Sequence, residues 1–545
     1  VRVGKDGKWA VASRDFFRAM GCEHCLRLSM AVQAGLPSVL AKVEPYLEDL
    51  STKLPIVQGN QREAIVFDQL RASLPEGDFV LMESRLPEDT IAVLKSGVPV
   101  VAQGFLKSEI HGYEWTGFAD LLVLEGYVIR QDEDGCIAAV QVGDLPEVPR
   151  YVPWDVKNAS SGDSKYQLQL AGYHHALAQL GLDSQHDMGI VLAVQKGIVD
   201  YSVAESLLLY EEAIRALVAV LDQVTPQAIT EDFVASWSCD RTSVCRSVYC
   251  EYPQLCKAEF VAKQTLDLLN DIRTPQKEKF NEAGIFTVPQ LAALDAAPDI
   301  EGLKPQYSER YWNLARVFAL QAAGTKALVS KVAGHPDVPA PSAGDLYFDI
   351  EWFSPVDMLG DLVFMFGFVD SKEEFTVLLA DDKAQERAAF DSFLDLALAN
   401  LHAHPQMHIY HYSPPEVTYL RKLSAQYGGH RQADVEQVVE HMLDLCAIAK
   451  ASFLPGSNSY SIKKLEQYYD ADSKLNRTEL VAGGDDAMYQ YELYRQAVAQ
   501  GDAEEAQTIM AMISAYNRDD CLSTKLLADW LRSLNFASAG QLITV

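Results

Sequence analysis

Asp155 and Lys157 stand two residues apart in the stretch Trp154–Tyr173, WDVKNASSGDSKYQLQLAGY. On a strand, that spacing sends a carboxylate and an ammonium to the same face. Gln169 and Tyr173 follow four residues apart, one above the other on a helix. Such a polar group is expensive to bury unless it does chemistry, although a D-x-K triplet alone is more often solvated surface. Two more acids precede it: Glu63 in GNQREAIVFDQL, four residues after Gly59, and Asp120 inside the apolar run FADLLVL. A second set lies far downstream. Asp349 and Glu351 interrupt one face of the apolar DLYFDIEWF, Glu416 falls in the first turn of a helix after MHIYHYSPP, and YNRDDCLSTKLL places Tyr516 and Asp520 at i, i+4. Each acid alone reads as a surface carboxylate or a cap. Grouped, hard oxygen ligands of this kind suit divalent cations, which activate water.

Thiols form a third set. Cys22 and Cys25 lie near the start, and Cys239, Cys245, Cys250 and Cys256 crowd one short stretch; Cys136, Cys446 and Cys521 stand alone and read as small buried hydrophobes. In a cytosolic protein four clustered cysteines favour a metal over disulfides. Ligands this far apart in sequence would clamp the two ends of a domain onto one metal centre. Four thiolates suit zinc as well as an iron–sulfur cluster.

The bulk composition sets limits. At 545 residues, 48% hydrophobic and 22% charged, the chain reads as an ordinary globular protein of three or four compact units. A net charge of −30 argues against a histone-like coating of nucleic acid while leaving room for a local basic track. Residues 240–335 carry about as many basic as acidic side chains, so the excess acid lies elsewhere. The opening VRVGKDGKWAVASRDFF has no apolar core of signal-peptide length, and no later run approaches the ~20 apolar residues of a membrane span. A cytoplasmic location and no membrane contact are the expectations.

The elements that must position these residues follow from periodicity. Residues 10–50 read as helical, with Cys22 inside the pattern, and a second helix runs near 59–70. Apolar alternation marks 79–83 and 98–106. HGYEWTGFADLLVLEGYVIRQDEDG reads as a hairpin or meander with Asp120 in mid-strand, or with a strand-end turn at Gly117. A strand at 151–157, a helix at 165–180, a strand at 188–194 and a helix at 203–224 follow. This order brings Glu63, Asp120, Asp155 and Lys157 within reach of one site on a mixed α/β sheet. Residues 262–335 read as a smaller helical region, with a glycine turn at Gly284-Ile285 before Thr287; KVAGHPDVPAPSAG reads as a linker. Strands at 345–353, 362–370 and 375–380 then begin a second sheet, Asp444 and Ser461–Lys464 introduce helices, and a long helix covers 503–532.

The set Gly59-x3-Glu63, Gly117-x2-Asp120, Asp155-x-Lys157 and Gln169-x3-Tyr173 resembles the PD-(D/E)XK nucleases of the RecB/AddB type. The resemblance implies a restriction-endonuclease-like mixed sheet in which Glu63, Asp120 and Asp155 hold Mg²⁺ or Mn²⁺. Lys157 would orient or deprotonate the attacking water, and Gln169 and Tyr173 would position the strand and the lysine. It also implies a [4Fe–4S] cluster on Cys22, Cys245, Cys250 and Cys256, with Cys25 or Cys239 as substitutes and Zn²⁺ as the alternative occupant. Cys245-x4-Cys250-x5-Cys256 is looser than the usual family spacing. The glycine turn at 284 resembles half of a helix–hairpin–helix, whose backbone N–H groups meet a DNA phosphate; an ordinary helix C-cap is the equal alternative. The downstream set resembles the RNase H-like DEDD 3′–5′ exonucleases of the YprB-like branch. That implies Asp349, Glu351, Glu416 and Asp520 as metal ligands and Tyr516 orienting the water, with Glu416 standing where most such enzymes have Asp.

The fold expected is therefore α/β in three parts: a nuclease domain over 1–261, a helix–hairpin–helix-like connector over 262–335 and an RNase H-like domain over 336–545. The function expected is a metal-dependent nuclease acting on single-stranded DNA ends, in repair, recombination or defence, with a helicase as a possible partner. RNA as substrate, and a nucleic-acid-binding scaffold with one degenerate centre, are the alternatives.

Overall fold

The computed structural model describes residues 1–43, 53–193, 196–235, 245, 250–269, 271–357, 360–457, 459–470, 473–477, 481 and 483–545. It divides into two compact units, Val1–Ala258 with Pro355–Gly360, and Glu259–Ser354 with Asp361–Val545. Both are mixed α/β, as the periodicities predict. Among the described residues no helix is long and apolar enough to cross a membrane.

The first unit contains strands β1 (Arg2–Val3), β2 (Trp9–Val11), β3 (Phe79–Leu81), β4 (Val100–Ile110), β5 (Tyr113–Leu124), β6 (Tyr127–Gln131), β7 (Ile137–Gln141), β8 (Tyr151–Val156), β9 (Met188–Val191) and β10 (Ile198–Tyr201). Its helices are α1 (Ser13–Gly21), α2 (Glu23–Gln33), α3 (Pro37–Val43), α4 (Lys53–Ser73), α5 (Pro87–Lys95), α6 (Ser164–Leu180), α7 (Val203–Leu221) and α8 (Glu231–Ala235). The main sheet runs β1-β2-β5-β8-β9-β10, with β4 and then β3 on the other side of β5. β4 and β5 form a long antiparallel hairpin, β8 joins β5 antiparallel, and β9 joins β8 in parallel after the α6 crossover. The half of β5 from Ala119 to Leu124 is wholly buried, so both faces of the sheet are covered there. Asp163 caps α6 by accepting from Lys165 N at 3.0 Å, and Gly181 ends it in the left-handed conformation, φ +70°.

Two details differ from the sequence expectation. The stretch 10–50 opens with buried β2, paired in parallel to β5, and Cys22 is extended (φ −163°) between α1 and α2 rather than inside one helix. Three consecutive apolar residues, Trp9, Ala10 and Val11, satisfy strand and helix alike; pairing to β5 decides between them. Gly117 lies within β5, in keeping with Asp120 in mid-strand, and a Cβ there would crowd the rings of Tyr173 and Trp115. The expected strand 188–194 ends at Val191, and β10 returns antiparallel beside it.

Helix α9 (Pro253–Lys263) spans the division. The second unit then contains α10 (Thr274–Glu282), α11 (Val288–Ala292), α12 (Pro305–Ala322), α13 (Lys383–Ala403), α14 (Pro415–Gln426), α15 (Gln432–Val439), α16 (Leu445–Ser452), α17 (Ile462–Tyr469), α18 (Gly484–Gln500) and α19 (Ala503–Ser533). Its strands are β11 (Ala327–Ser330), β12 (Leu346–Phe353), β13 (Leu362–Asp370), β14 (Phe375–Leu379), β15 (Ile409–His411), β16 (Met442–Asp444), β17 (Phe453–Pro455) and β18 (Leu542–Thr544). The central sheet runs β14-β13-β12-β15-β16, antiparallel through β12 and parallel beyond it. A small sheet, β17-β11-β18, ties the helical stretch before residue 331 into this unit. Leu454 of β17 shares a core with Leu314 and Val317 of α12. The stretch 262–335 is thus part of the second unit and does not stand apart.

The α10–α11 hairpin spends its backbone donors internally. Gly284 N bonds Asn281 O, Ile285 N bonds Phe280 O, Phe286 N and Thr287 N both bond Gln290 Oε1, and Val288 N bonds Gln264 O. With Gly284 at φ +79°, this is a helix C-cap, and the turn's N–H groups are not offered to a phosphate.

Two candidate carboxylate centres

In the first unit Asp120, Asp155 and Lys157 lie in mutual electrostatic reach, and Glu63 lies in reach of Asp120 and Lys157. Asp155 is wholly buried at the penultimate position of β8, and Asp120 lies beside it on β5, one residue beyond the pair Leu121–Trp154. Lys157 Nζ is 2.7 Å from Asp155 Oδ2 and 3.5 Å from Asp120 Oδ2. Asp120 Oδ2 also accepts from Val156 N at 3.0 Å. Burial opposes its charge, yet Lys157 and that N–H hold Asp120 below the usual carboxylate range. Burial, then the Asp120 charge, push Asp155 far up. Burial works against the Lys157 ammonium too, but Asp155 and Asp120 outweigh it and raise its pKa. Glu63, presented by α4, is pushed up to about 7 by burial and by Asp120.

Tyr173 lies within electrostatic reach of Asp155, Asp120 and Lys157, and Gln169 holds its hydroxyl. Gln169 Nε2 donates to Tyr173 Oη at 2.8 Å, and that hydroxyl donates to the Phe118 carbonyl. The pair therefore fixes β5 just ahead of Asp120, beside a 330 Å³ cleft lined by Arg14, Phe105, Phe118 and Lys165. Sequence reading missed two residues here. Arg62, fully buried, anchors α4 by donating to Leu192 O at 2.9 Å, and Gln103 donates to Glu63 Oε2 at 3.1 Å. Arg62 is adjacent to Glu63, and an arginine on the core side of a helix was the available signal.

Among the described residues these acids do not close into a group as tight as the one in the second unit, but one oxygen is left for a cation. Asp155 Oδ1 is buried with no hydrogen-bond partner, an orphan acceptor beside a crowded second carboxylate.

In the second unit Asp349, Glu351 and Asp520 offer carboxylate oxygens all within 4.8 Å of one another. Strand alternation puts Asp349 and Glu351 on one face of β12, and α19 crosses it to deliver Asp520. Asn517, one turn before Asp520, donates its amide to Asp349 Oδ2 at 2.8 Å. Burial together with Glu351, Asp520 and Glu416 raises Asp349 far above its ordinary value. Burial and Asp520 push Glu351 up to about 8. Three buried acids at this spacing repel one another, which a divalent cation would offset.

Glu416 is not one of that tight group of three but is hydrogen-bonded to Asp349. It is buried at the start of α14, its pKa raised by that burial, with His411 Nδ1 at 3.2 Å. The same nitrogen lies 2.7 Å from Ser413 O, so it carries the proton and donates. Tyr516 Oη accepts from Lys463 Nζ at 3.0 Å. Burial and then the Asp520, Glu351 and Asp349 charges keep the phenol strongly protonated. Arg477 Nη1 approaches Asp520 Oδ1 at 2.6 Å, out of line for a hydrogen bond. Lys463, Arg477 and Asn517 were missed from sequence; only Asn517 had a signal, its place between Tyr516 and Asp520.

Five cysteines meet in the first unit. The thiols of Cys22 and Cys245 are hydrogen-bonded, as are those of Cys25 and Cys250, with Cys256 close enough to influence Cys250. Cys25, expected only as a substitute, is buried against Cys250. The Sγ atoms do not close into one tight group among the described residues, and Cys239 lies outside them. As a donor set, thiols paired with thiols fit a thiophilic metal or cluster.

A family model of the RNase H superfamily matches residues 346–532. That match spans β12 to the last turns of α19 and includes all three carboxylates of the tight group. The C-terminal part of the second unit is thus an RNase H-like domain, which implies a nuclease or related hydrolase. No curated protein matches the chain.

Proposed function

We propose that this chain is a Mg²⁺- or Mn²⁺-dependent nuclease with two centres, an RNase H-like exonuclease of DEDD type and a RecB-like nuclease unit, acting on single-stranded DNA ends. The Asp349–Glu351–Asp520 group inside an RNase H-like domain carries the reading. Those three residues would hold the cations, which when bound supply an activated water and charge neutralisation at the leaving oxygen. The chain's own groups do the rest. Asn517 holds Asp349 by one carboxylate oxygen. Lys463, bonded to Tyr516, fixes the phenol where it can orient a water. His411 holds Glu416 at the edge of the centre.

In the first unit Glu63, Asp120 and Asp155 are the corresponding ligands, and Lys157 supplies a positive charge for the developing phosphorane. Phe105 and Phe118, their ring centroids 4.6 Å apart, line the neighbouring cleft with Arg14 and Lys165. Aromatic faces beside cations suit an unpaired strand. Paired thiols on Cys22, Cys25, Cys245 and Cys250 support a [4Fe–4S] cluster, or Zn²⁺, clamping this unit.

The test is degradation of 5′- and 3′-labelled single- and double-stranded DNA and RNA by wild type, Asp349→Ala, Lys157→Ala and the double variant. Each single variant is expected to lose one part of the metal-dependent activity, and the double variant all of it. Full activity in the double variant would overturn the reading; RNA preferred over DNA would overturn the substrate.

A further inference from the structure

The second unit has a cleft of about 560 Å³ that none of the proposed metal ligands lines. Arg310 of α12, Lys331 just past β11 and Lys450 of α16 bring three cations to it, against the single carboxylate of Asp271. Its wall is completed by Tyr412, past β15, and by Tyr460 and Ser461, just before α17. In a chain of net charge −30 a cleft with this local excess of cations is an exception to the general field.

Its groups are held in place yet not saturated. Tyr412 donates its hydroxyl to Tyr460 O, and Tyr460 donates to Phe453 O, so both rings are fixed by backbone carbonyls. Lys331 Nζ donates to Tyr460 Oη at 3.2 Å and to the Lys450 carbonyl, leaving one of three protons for another acceptor. Arg310 Nη2 is 3.2 Å from Asp271, while its Nε is buried without a hydrogen-bond partner. Partial desolvation and the Arg310 charge draw Lys331 down to about 8, and an anion beside it would reverse that.

The cleft also adjoins the carboxylate centre. Ser413, on its wall, stands three residues before Glu416 and supplies the carbonyl that accepts from His411. Ser461 stands two residues before Lys463, the partner of Tyr516. The same two segments thus line the cleft and shape the centre.

We infer that this cleft binds a nucleotide of the substrate strand, its phosphate on Arg310 and Lys331 and its base against the tyrosines. A phosphate diester matches the guanidinium and ammonium donors, a base matches fixed aromatic rings, and the volume suits one nucleotide. The inference rests on the nuclease reading of the adjacent centre and gives it a strand-holding subsite.

The test is binding of a short fluorescein-labelled oligothymidylate to the full chain in chelator, by anisotropy across a salt series. Lys331→Gln is expected to weaken binding about fivefold or more and lower the slope of log K against log salt by about one. Lys331→Arg should restore most of both, which a merely structural lysine would not do. Affinity and slope unchanged in a folded Lys331→Gln protein would overturn the inference. Thymidine monophosphate bound at a Lys331-dependent site, with oligonucleotide affinity unaltered by the substitution, would overturn the strand and assign a free nucleotide. Since nothing is cleaved in chelator, a failure here falls on the cleft alone, whereas absent metal-dependent cleavage falls on the carboxylate centre.

Discussion

Gly367 and Asn517 share one small space: a Cβ on Gly367 would fall well inside contact distance of the Asn517 amide oxygen. Gly367 is the β13 residue paired with Asp349, and Asn517 is the α19 residue that donates to Asp349. A missing side chain on one strand therefore lets the helix deliver an amide to a carboxylate on the next. Gly367→Ala is expected to destabilise the protein by about 1–3 kcal/mol through overpacking and to cut the activity that survives in a Lys157→Ala background by about tenfold or more. Adding Asn517→Ala should recover much of the stability without the activity, a coupling that urea melts of the four proteins measure. Additive losses would show that the two residues do not compete for this space.

Glu351 gives the second centre a pH dependence in chelator. Its folded value of about 8 lies above its ordinary 4.5. A carboxyl raised on folding contributes stability that is full below the unfolded value and lost as pH rises through the folded one. Metal-free protein should therefore melt at progressively lower temperature from about pH 5 to pH 8.5. Glu351→Gln should flatten the profile and at the alkaline end exceed wild type by about 2 °C or more. Mg²⁺ should raise the wild-type melting temperature more at the alkaline end, because the ligands must be deprotonated. A wild-type profile that is level in chelator would remove Glu351 as a neutral buried acid.

Cys250 is the meeting point of the thiol group. It is bonded to the Cys25 thiol and close to Cys245 and Cys256. Anaerobically purified protein is expected to carry iron with a broad band near ~400 nm, or else zinc. Cys250→Ser should lose most of the bound metal and much of the melting temperature of the first unit. Cys136→Ser, on an exposed thiol, should change neither. Wild-type metal content in Cys250→Ser would dismiss the staple.

Legibility in the sequence followed the range of the interaction. Asp349 and Glu351 were readable because strand alternation is local, and Tyr516 and Asp520 because helical spacing is local. Their meeting across β12 and α19 needed the family resemblance as well. Ala10 and Val11 fall in the stretch that reads as helix, since only their pairing to β5 makes them strand. The turn at Gly284 shows the same limit: its sequence suits phosphate binding and capping equally, and the side chain of Gln290 decides for capping. Lys463 and Arg477, which reach Tyr516 and Asp520 from separate segments, had no local signal at all.

Gln103 supplies the last prediction. It sits in the left-handed region, φ +55°, in mid-strand between the pairs Ala102–Leu121 and Gly104–Ala119, and thus faces Asp120. That conformation costs a non-glycine residue about 1–2 kcal/mol, and here it accompanies an amide donated to Glu63 at 3.1 Å. Strain held at a carboxylate centre is the pattern expected when geometry there matters more than local stability. Gln103→Gly should relieve the strain and leave stability unchanged or higher by up to about 1 kcal/mol, after the added chain entropy of glycine. It should also leave Glu63, already pushed up to about 7, without its donor. In an Asp349→Ala background the acid limb of the pH–rate profile should then move to higher pH, since a hydrogen bond to the charged form favours that form. Clear destabilisation with an unmoved acid limb would make Gln103 a packing residue and sever it from the chemistry of Glu63.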